Sequence, residues 1–232
     1  MMKKTAPPLF LLSTGVFLFL NVVSAGETIS LARGQWNQDD FLQVKSWRWP
    51  HIGGFTQYED HIANETPEGA TEAEMLSSKA GETYSSMLLK EPLSGTSTFT
   101  VTMSFDHRMA PLIVLASGEE GSKFVQVSDN VYEYREHFEI VLFDEGLNLW
   151  HHEFIDGKQK WHLTAYLKHR FEPEKQYTLS VTAEPGSQRL IIRADGEELG
   201  IRETDLPAIY HWGITGCEGI NRFYNYKLDQ AE

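Results

Sequence analysis

Cysteine is almost absent from this chain. Cys217 stands alone, so no internal disulfide can form and the fold must be held by its core. Positive charge is scarce as well: lysine and arginine total 20 against 33 aspartates and glutamates. So acidic a surface repels nucleic acid and anionic membranes, and a polyanionic ligand would need a local cationic patch. Beyond residue 25 there is no apolar run of membrane-spanning length. No low-complexity tract, internal repeat or linker divides the chain. One domain over residues 26–232 is the simplest account, and a chain of about 207 residues buries roughly 70% of its unfolded surface.

The first 25 residues read differently from the rest. Lys3 and Lys4 form a basic start, residues 9–23 are an apolar run, and Val23-Ser24-Ala25 supplies the small residues a signal peptidase requires. Ser13, Thr14, Gly15 and Asn21 interrupt the run, which suits a secretory leader cleaved before Gly26 better than a retained anchor. No cysteine follows it, so lipoprotein processing is not expected. Without the two leader lysines, 18 basic side chains remain against 33 acidic ones, a formal charge of −15. The expected compartment is the periplasm or the exterior, with no stable membrane insertion after cleavage.

Nearly everything after the leader reads as strand, turn, strand. Residues 96–105 (TSTFTVTMSF) alternate β-branched and aromatic side chains, 111–116 are a short apolar run, and 132–143 are a long one. Residues 177–183 alternate cleanly, 189–194 follow a Glu184-Pro185-Gly186-Ser187 turn, and 211–228 supply two more runs around Gly213, Gly216 and Gly219. Strands at roughly 8–12 residue spacing with Gly, Pro and Asp-Gly punctuation indicate an all-β sandwich or barrel. Residues 67–77 are the one stretch compatible with a helical turn, and an exposed loop is expected there.

Residues 147–170, LNLWHHEFIDGKQKWHLTAYLKHR, stand apart in an acidic chain. They hold four of the nine histidines, two of the six tryptophans, and Lys158, Lys160, Lys168 and Arg170 against only Glu153 and Asp156. Asp156-Gly157 and Asp195-Gly196 sit between strand-like flanks, as in type I′ hairpin turns, which need positive φ at both central residues. A two-residue turn at Asp156-Gly157 sets Ile155 opposite Lys158, Glu153 opposite Lys160, and His151 opposite His162. Alternation then divides the hairpin into two faces. Trp150, His152, Phe154, Trp161, Leu163 and Ala165 share the face expected to be core, with His152 as a hydrogen-bonded core histidine. His151, Glu153, Lys158, Lys160, His162 and Thr164 share a polar, titratable one. Over 132–143 the same parity groups Glu133, Arg135, His137, Glu139, Val141 and Phe143. If that strand lies beside the hairpin, three histidines, an arginine, a lysine and two glutamates would gather on one face.

Tyr177 to Ile201 carries a strand, a tight turn and the Asp195-Gly196 hairpin. Trp212-Gly213-Ile214 and the Arg222-to-Leu228 segment form a closing pair, while Asp40-Phe41, Trp47 and Gly53-Gly54 fit an opening segment. Together they resemble the concanavalin A-like lectin/glucanase superfamily, most closely its YesU-like bacterial branch. The resemblance implies a two-sheet antiparallel jelly-roll sandwich that binds carbohydrate across its concave sheet. It implies no reaction, because the fold hosts lectins, hydrolases and lyases alike. The superfamily's glucanases carry Glu-x-Asp-x-(x)-Glu on one strand. Here Glu203-Thr204-Asp205 runs into Leu206-Pro207-Ala208 with no third acid. The motifs of jelly-roll alginate lyases (Arg-x-Glu-Leu-Arg, Gln-Ile-His, Tyr-x-Lys-x-Gly-x-Tyr) are not matched either.

Several chemistries remain open. β-Elimination on a uronate polysaccharide would use Arg135 or Lys160 to neutralise the carboxylate, His151, His162 or His137 as base, and a nearby tyrosine as acid. Carbohydrate binding alone would use Trp47 and Trp49 for stacking, with Glu139, Glu153 and Lys160 bonding hydroxyls. Hydrolysis would require an unusual acid pair, Glu139 and Glu153. Cross-strand His151 and His162, joined by His137 or Glu153, hold donors suited to zinc. Such pairs are more often simply solvated or hydrogen-bonded, so the sequence reading assigns no metal. It calls for no cofactor: calcium is frequent in the superfamily, but the acids form no dense loop of oxygen ligands. Trp150, Trp161 and Trp212 are expected in the core, and Cys217 as a packed thiol. The candidate ligand face carries Arg135, His137, Glu139, His151, Glu153, Lys160 and His162.

Overall fold

The computed structural model describes residues 28–30, 34, 36–46, 54–64, 84–106, 109–118 and 124–231. The leader, the exposed loop expected at 67–77, Gly53, and Trp47 and Trp49 lie outside them. In chain order the strands are β1 (Thr28–Ser30), β2 (Phe41–Ser46), β3 (Phe55–Gln57), β4 (Ile62–Asn64), β5 (Ser85–Leu89) and β6 (Leu93–Ser94). They continue with β7 (Ser97–Phe105), β8 (Met109–Ser117), β9 (Phe124–Ser128), β10 (Val131–Tyr134), β11 (His137–Phe143) and β12 (Gly146–Ile155). The last six are β13 (Lys158–Lys168), β14 (Tyr177–Glu184), β15 (Arg189–Ala194), β16 (Glu197–Glu203), β17 (Ile209–Gly216) and β18 (Asn221–Gln230).

These strands form two sheets. The first has the order β16-β15-β14-β7-β18-β4-β3, with β1 also on β18. The second runs β13-β12-β11-β8-β17-β5-β2-β10-β9, with β6 on β17. Pairing among the described strands is antiparallel except between β10 and β2. This is the all-β, two-sheet jelly roll that the sequence pattern and the resemblance imply. Among the described residues no helix is long and apolar enough to cross a membrane.

Alternation explains why the sheets pack. Along β7, Phe99, Val101, Met103 and Phe105 are buried between the sheets. Thr98, Thr100 and Thr102 point outward and bond Thr182, Ser180 and Thr178 of β14 at 2.8, 2.8 and 3.0 Å. β-Branched residues suit the pleat, and cross-strand hydroxyl pairs each add roughly 0.2–1 kcal/mol. From the second sheet Trp212 lies parallel to Phe99 with centroids 5.8 Å apart, and its indole N–H donates to Ser97 Oγ at 2.8 Å. Trp212 is therefore core, as expected.

The second sheet also buries much of its other face. Val44, Tyr84, Leu88, Leu112, Val114, Ala116, Tyr134, Val141 and Cys217 form a separate apolar cluster there, with Leu42 and Trp150 packed against it. Strand order shows why. β10 lies near one end of the sheet and β11 near the other, yet only Arg135 and Glu136 join them. Tyr134 at the end of β10 meets the His137 ring edge-on, with centroids 4.3 Å apart. The sheet therefore curls until its two halves touch across this face, which makes it the concave one.

One reading of the strands needs correction. Residues 132–143 are not one strand: β10 pairs with β2 and β9, whereas β11 pairs with β8 and β12. The ladder breaks at Arg135-Glu136, where the chain crosses the curl. Parity does not survive the break, so Tyr134 joins His137 on the concave face instead of facing away from it.

Candidate functional site

The β12–β13 hairpin turns on Asp156 and Gly157, with φ of 52° and 72°. Next to the turn its register is the one the Asp-Gly pair predicts: Ile155 opposite Lys158, Glu153 opposite Lys160, His151 opposite His162. A bulge between Leu149 and Trp150 then sets Ala165 opposite Leu149, on the core side and not with Trp150 as expected. β11 lies beside β12, also as expected, but its register sets His137 opposite His152 and Glu139 opposite Trp150. Sheet neighbours that oppose each other share a face. His137 and Glu139 therefore share the concave face with His152, Trp150, Phe154, Trp161 and Leu163. His151, Glu153, Lys160 and His162 are on the other side, the side to which Leu147 and Leu149 contribute core.

The single seven-residue face expected from sequence is thus two. Glu139 and Glu153 are on opposite sides of one sheet and cannot flank one glycosidic bond, which removes the proposed acid pair. The side expected to be core is partly open instead: Trp161 and Leu163 are 47% and 49% exposed. Parity tells which residues share a face but not which face is covered, and here the cover comes from the opposite sheet.

On the concave face Glu139 is held by two histidines. His137 Nε2 donates to Oε1 at 3.2 Å and His152 Nε2 donates to Oε2 at 3.0 Å. Both ring nitrogens are assigned as donors because an ionised carboxylate only accepts. The imidazoles stack with centroids 4.4 Å apart and planes 10° from parallel. Parallel rings suit the fork of one carboxylate, whose two oxygens each meet one N–H. A single metal ion between them would lie well out of both ring planes.

Burial sets the charges of this group. It pushes His137 down to about 4, helped by the charge of His152 and only partly opposed by the bond to Glu139. For Glu139, burial alone would raise the pKa. The charge of His152 and the hydrogen bonds from both imidazoles outweigh it, and the carboxyl sits well below the usual range. Tyr134 is pushed up to about 12 by burial and by the charge of Glu139. Its hydroxyl belongs to a buried chain with Tyr84, Ser86 and Thr215. Near neutral pH the group therefore presents a firmly ionised acceptor, a neutral His137 and a neutral phenol. None of these three is a base or acid poised near 7.

Around this acceptor the hairpin presents large apolar side chains. Trp161, Leu163 and Tyr166 are each close to half exposed, and they oppose His152, Trp150 and Asn148 on β12. Phe154 lies in the same alternation and carries the Arg135 guanidinium 4.9 Å above its ring. Arg135 also donates from Nε to Glu133 at 2.9 Å. At its far end the strip reaches a cleft lined by Tyr166, Lys168, His169 and Arg170 together with Asp144 and Glu145.

The opposite face holds a second histidine–carboxylate group. His151 stacks on Phe138, centroids 4.2 Å apart and planes 8° from parallel. Its Nε2 is 3.8 Å from Glu136 Oε1. His162 Nε2 is 3.4 Å from Glu153 Oε2. Glu153 thus turns to His162, while the expected cross-strand partner Lys160 is exposed.

Sequence reasoning found His137 and Glu139 but set His152 aside as a core histidine. It is indeed buried and partnered. The signal that it belongs with Glu139 was the Asp144-Glu145 turn, from which counting back pairs His137 with His152.

No protein-family model matches this chain, and none of the curated proteins compared with it is significantly similar in sequence. Similar solved structures exist. The carbohydrate-binding module CBM66 from Bacillus subtilis superposes with a TM-score of 0.56 at 12% identity, over 82% of this chain and 96% of that one. Lectin II from Ulex europaeus gives 0.55 at 10% identity, over 89% and 99%. The carbohydrate recognition domain of Emp47p gives 0.56 at 12%, over 88% and 95%. The chain has the concanavalin A-like jelly-roll fold. At such identities the likeness speaks for the fold and does not reach the YesU-like branch.

Proposed function

We propose that this protein binds a polysaccharide or oligosaccharide on its concave face, without transforming it. The observation that carries this reading is the half-exposed strip of Trp161, Leu163 and Tyr166 beside a buried, ionised Glu139. Aromatic faces offer apolar area to the C–H side of a sugar ring, and a fixed carboxylate accepts from its hydroxyls. The histidine clamp supplies preorganisation: Glu139 loses little freedom when a ligand arrives, so little affinity is lost to ordering. The fold supports the same reading by analogy, as it is shared with a carbohydrate-binding module and lectins.

Elimination is the weaker reading. A uronate lyase needs a base titrating near its working pH beside a free cation. His137 is 1% exposed with a depressed pKa, His151 and His162 share the other face, and Arg135 already engages Glu133. Export to the periplasm or beyond is part of the proposal and rests on the leader-like residues 1–25. N-terminal sequencing of the exported protein is expected to begin at Gly26.

The test is retardation of the purified chain in gels loaded with pectic, alginate or neutral polysaccharides, with absorbance at about 235 nm followed in parallel. Retardation by one class, lost in Trp161→Ala, with no new absorbance, is the expected result. New absorbance would instead establish elimination, and no retardation by any class would reject the proposal.

A further inference from the structure

The second histidine–carboxylate group differs from the first in that His151 Nε2 does not bond the carboxylates beside it. His151 Nε2 is shut off from solvent and forms no hydrogen bond, although Glu136 and Glu153 both offer a carboxylate oxygen nearby. One ligand atom from each of Glu136, His151 and Glu153 lies within 4.8 Å of the other two. A buried imidazole nitrogen without a hydrogen bond is destabilising, and two carboxylates stand close to this one. A cation is the partner that both the nitrogen and the carboxylates would accept.

We propose that Glu136, His151 and Glu153, with His162 beside Glu153, form a binding site for a divalent transition-metal ion of the zinc type. The donor set argues for that class. Calcium and magnesium take all-oxygen shells, whereas imidazole with carboxylate suits zinc and its neighbours in the first transition row. Distances agree. Zinc bonds of about 2.0–2.1 Å in a tetrahedron leave ligand atoms about 3.3 Å apart. The His162–Glu153 separation is 3.4 Å and the His151–Glu136 separation is 3.8 Å.

The scaffold is suited to hold an ion. Phe138 fixes the plane of His151 by stacking. The Glu136 carbonyl accepts from Ser117 N–H at 3.0 Å, which pins the link between β10 and β11. His162 has a side chain 54% exposed, so metal can enter and a coordination position can stay with water. Bound there, the ion would tie the tip of the β12–β13 hairpin to the β10–β11 link. On the concave face His137, Glu139 and His152 also come close enough together to hold an ion, but there both Nε2 atoms already donate to Glu139.

The experiment is a titration of the EDTA-treated chain with zinc chloride, by calorimetry and by thermal melting, and then with calcium and magnesium chloride. One zinc per chain and a rise in Tm of several degrees are expected, since a ligand that binds only the folded state stabilises it. Affinity should fall at least tenfold in Glu153→Gln and in His151→Ala. His162→Ala changes a more exposed residue and tests the site without disturbing Phe138. Its expected loss is smaller but measurable. Four results would overturn the proposal: no zinc binding at millimolar concentration, an equal response to calcium or magnesium, unchanged affinity in both Glu153→Gln and His151→Ala, or loss in Glu139→Gln with retention in Glu153→Gln. Gel retardation by polysaccharide is scored separately, so failure here is distinguishable from failure of the saccharide reading.

Discussion

The two histidine–carboxylate groups share strand β12, where His151 and His152 are neighbours pointing opposite ways. On the concave face His152 and His137 each donate to one oxygen of Glu139, and all three are buried. On the other face the same residue types stand farther apart, with 3.4 and 3.8 Å separations and no hydrogen bond at the buried His151 Nε2. The first group is held together by its own imidazole–carboxylate hydrogen bonds, whereas His151 in the second stands beside carboxylates without bonding them. Composition alone does not separate a preorganised acceptor from a ligand-taking cluster. The bonds between imidazole and carboxylate do.

The sharpest way to break this comparison is to remove each carboxylate. Glu139→Ala leaves two buried imidazole N–H groups without their acceptor and is expected to cost about 3–5 kcal/mol. Glu153→Ala, in metal-free buffer, should cost within about 1 kcal/mol because its partner is largely solvated. Urea unfolding of both variants measures the difference. Equal costs would mean that the two groups are not built differently.

Acid should separate them next. His137 titrates near 4 in the folded protein but near its ordinary 6.5 when unfolded. As pH falls below about 6.5, the unfolded chain takes up a proton that the folded one refuses, so stability declines. Glu139, depressed in the fold, adds a further loss as pH falls below the ordinary carboxylate range. The stability that both groups contribute is therefore present at neutral pH and lost on acidification. In His137→Gln the decline between pH 6.5 and 4, read by urea unfolding across that range, should flatten.

Smaller effects follow from the surroundings. Tyr134→Phe removes one member of the buried hydroxyl chain and should cost about 1–2 kcal/mol, read from the shift in the urea midpoint. Trp161→Ala should change stability by no more than about 0.5 kcal/mol while abolishing gel retardation. That combination would mark the side chain as one kept for a ligand and not for the fold.

Much of this architecture was legible in the sequence, for identifiable reasons. Asp156-Gly157 and Asp195-Gly196 demand positive φ, so both hairpins and the register next to each turn follow from two residues each, up to the bulges at Leu149/Trp150 and Ile192/Arg193. The threonine alternation of β7 announces a strand with one buried side. The break between β10 and β11 was hidden, because Arg135 and Glu136 carry no turn chemistry and the residues on either side alternate alike. The side to which each hairpin face turns was hidden as well. It is decided by the opposite sheet, through contacts that no local pattern encodes. His152 was legible as a buried histidine but not as half of a clamp, since that required the register of a second turn.

The order in which strands enter the sheets carries one more consequence. β18, the last strand described, lies inside its sheet between β7 and β4, and β17 lies inside the other between β8 and β5. Both sheets therefore gain an interior strand only after almost every other strand has been synthesised. A chain still emerging from the ribosome has two half-sheets with exposed edges and no way to close either. Such edges invite pairing with other chains, and pairings distant in sequence form slowly. Folding here waits on β17 and β18, and deleting the ten-residue strand β18 would leave an open, aggregation-prone product instead of a smaller domain.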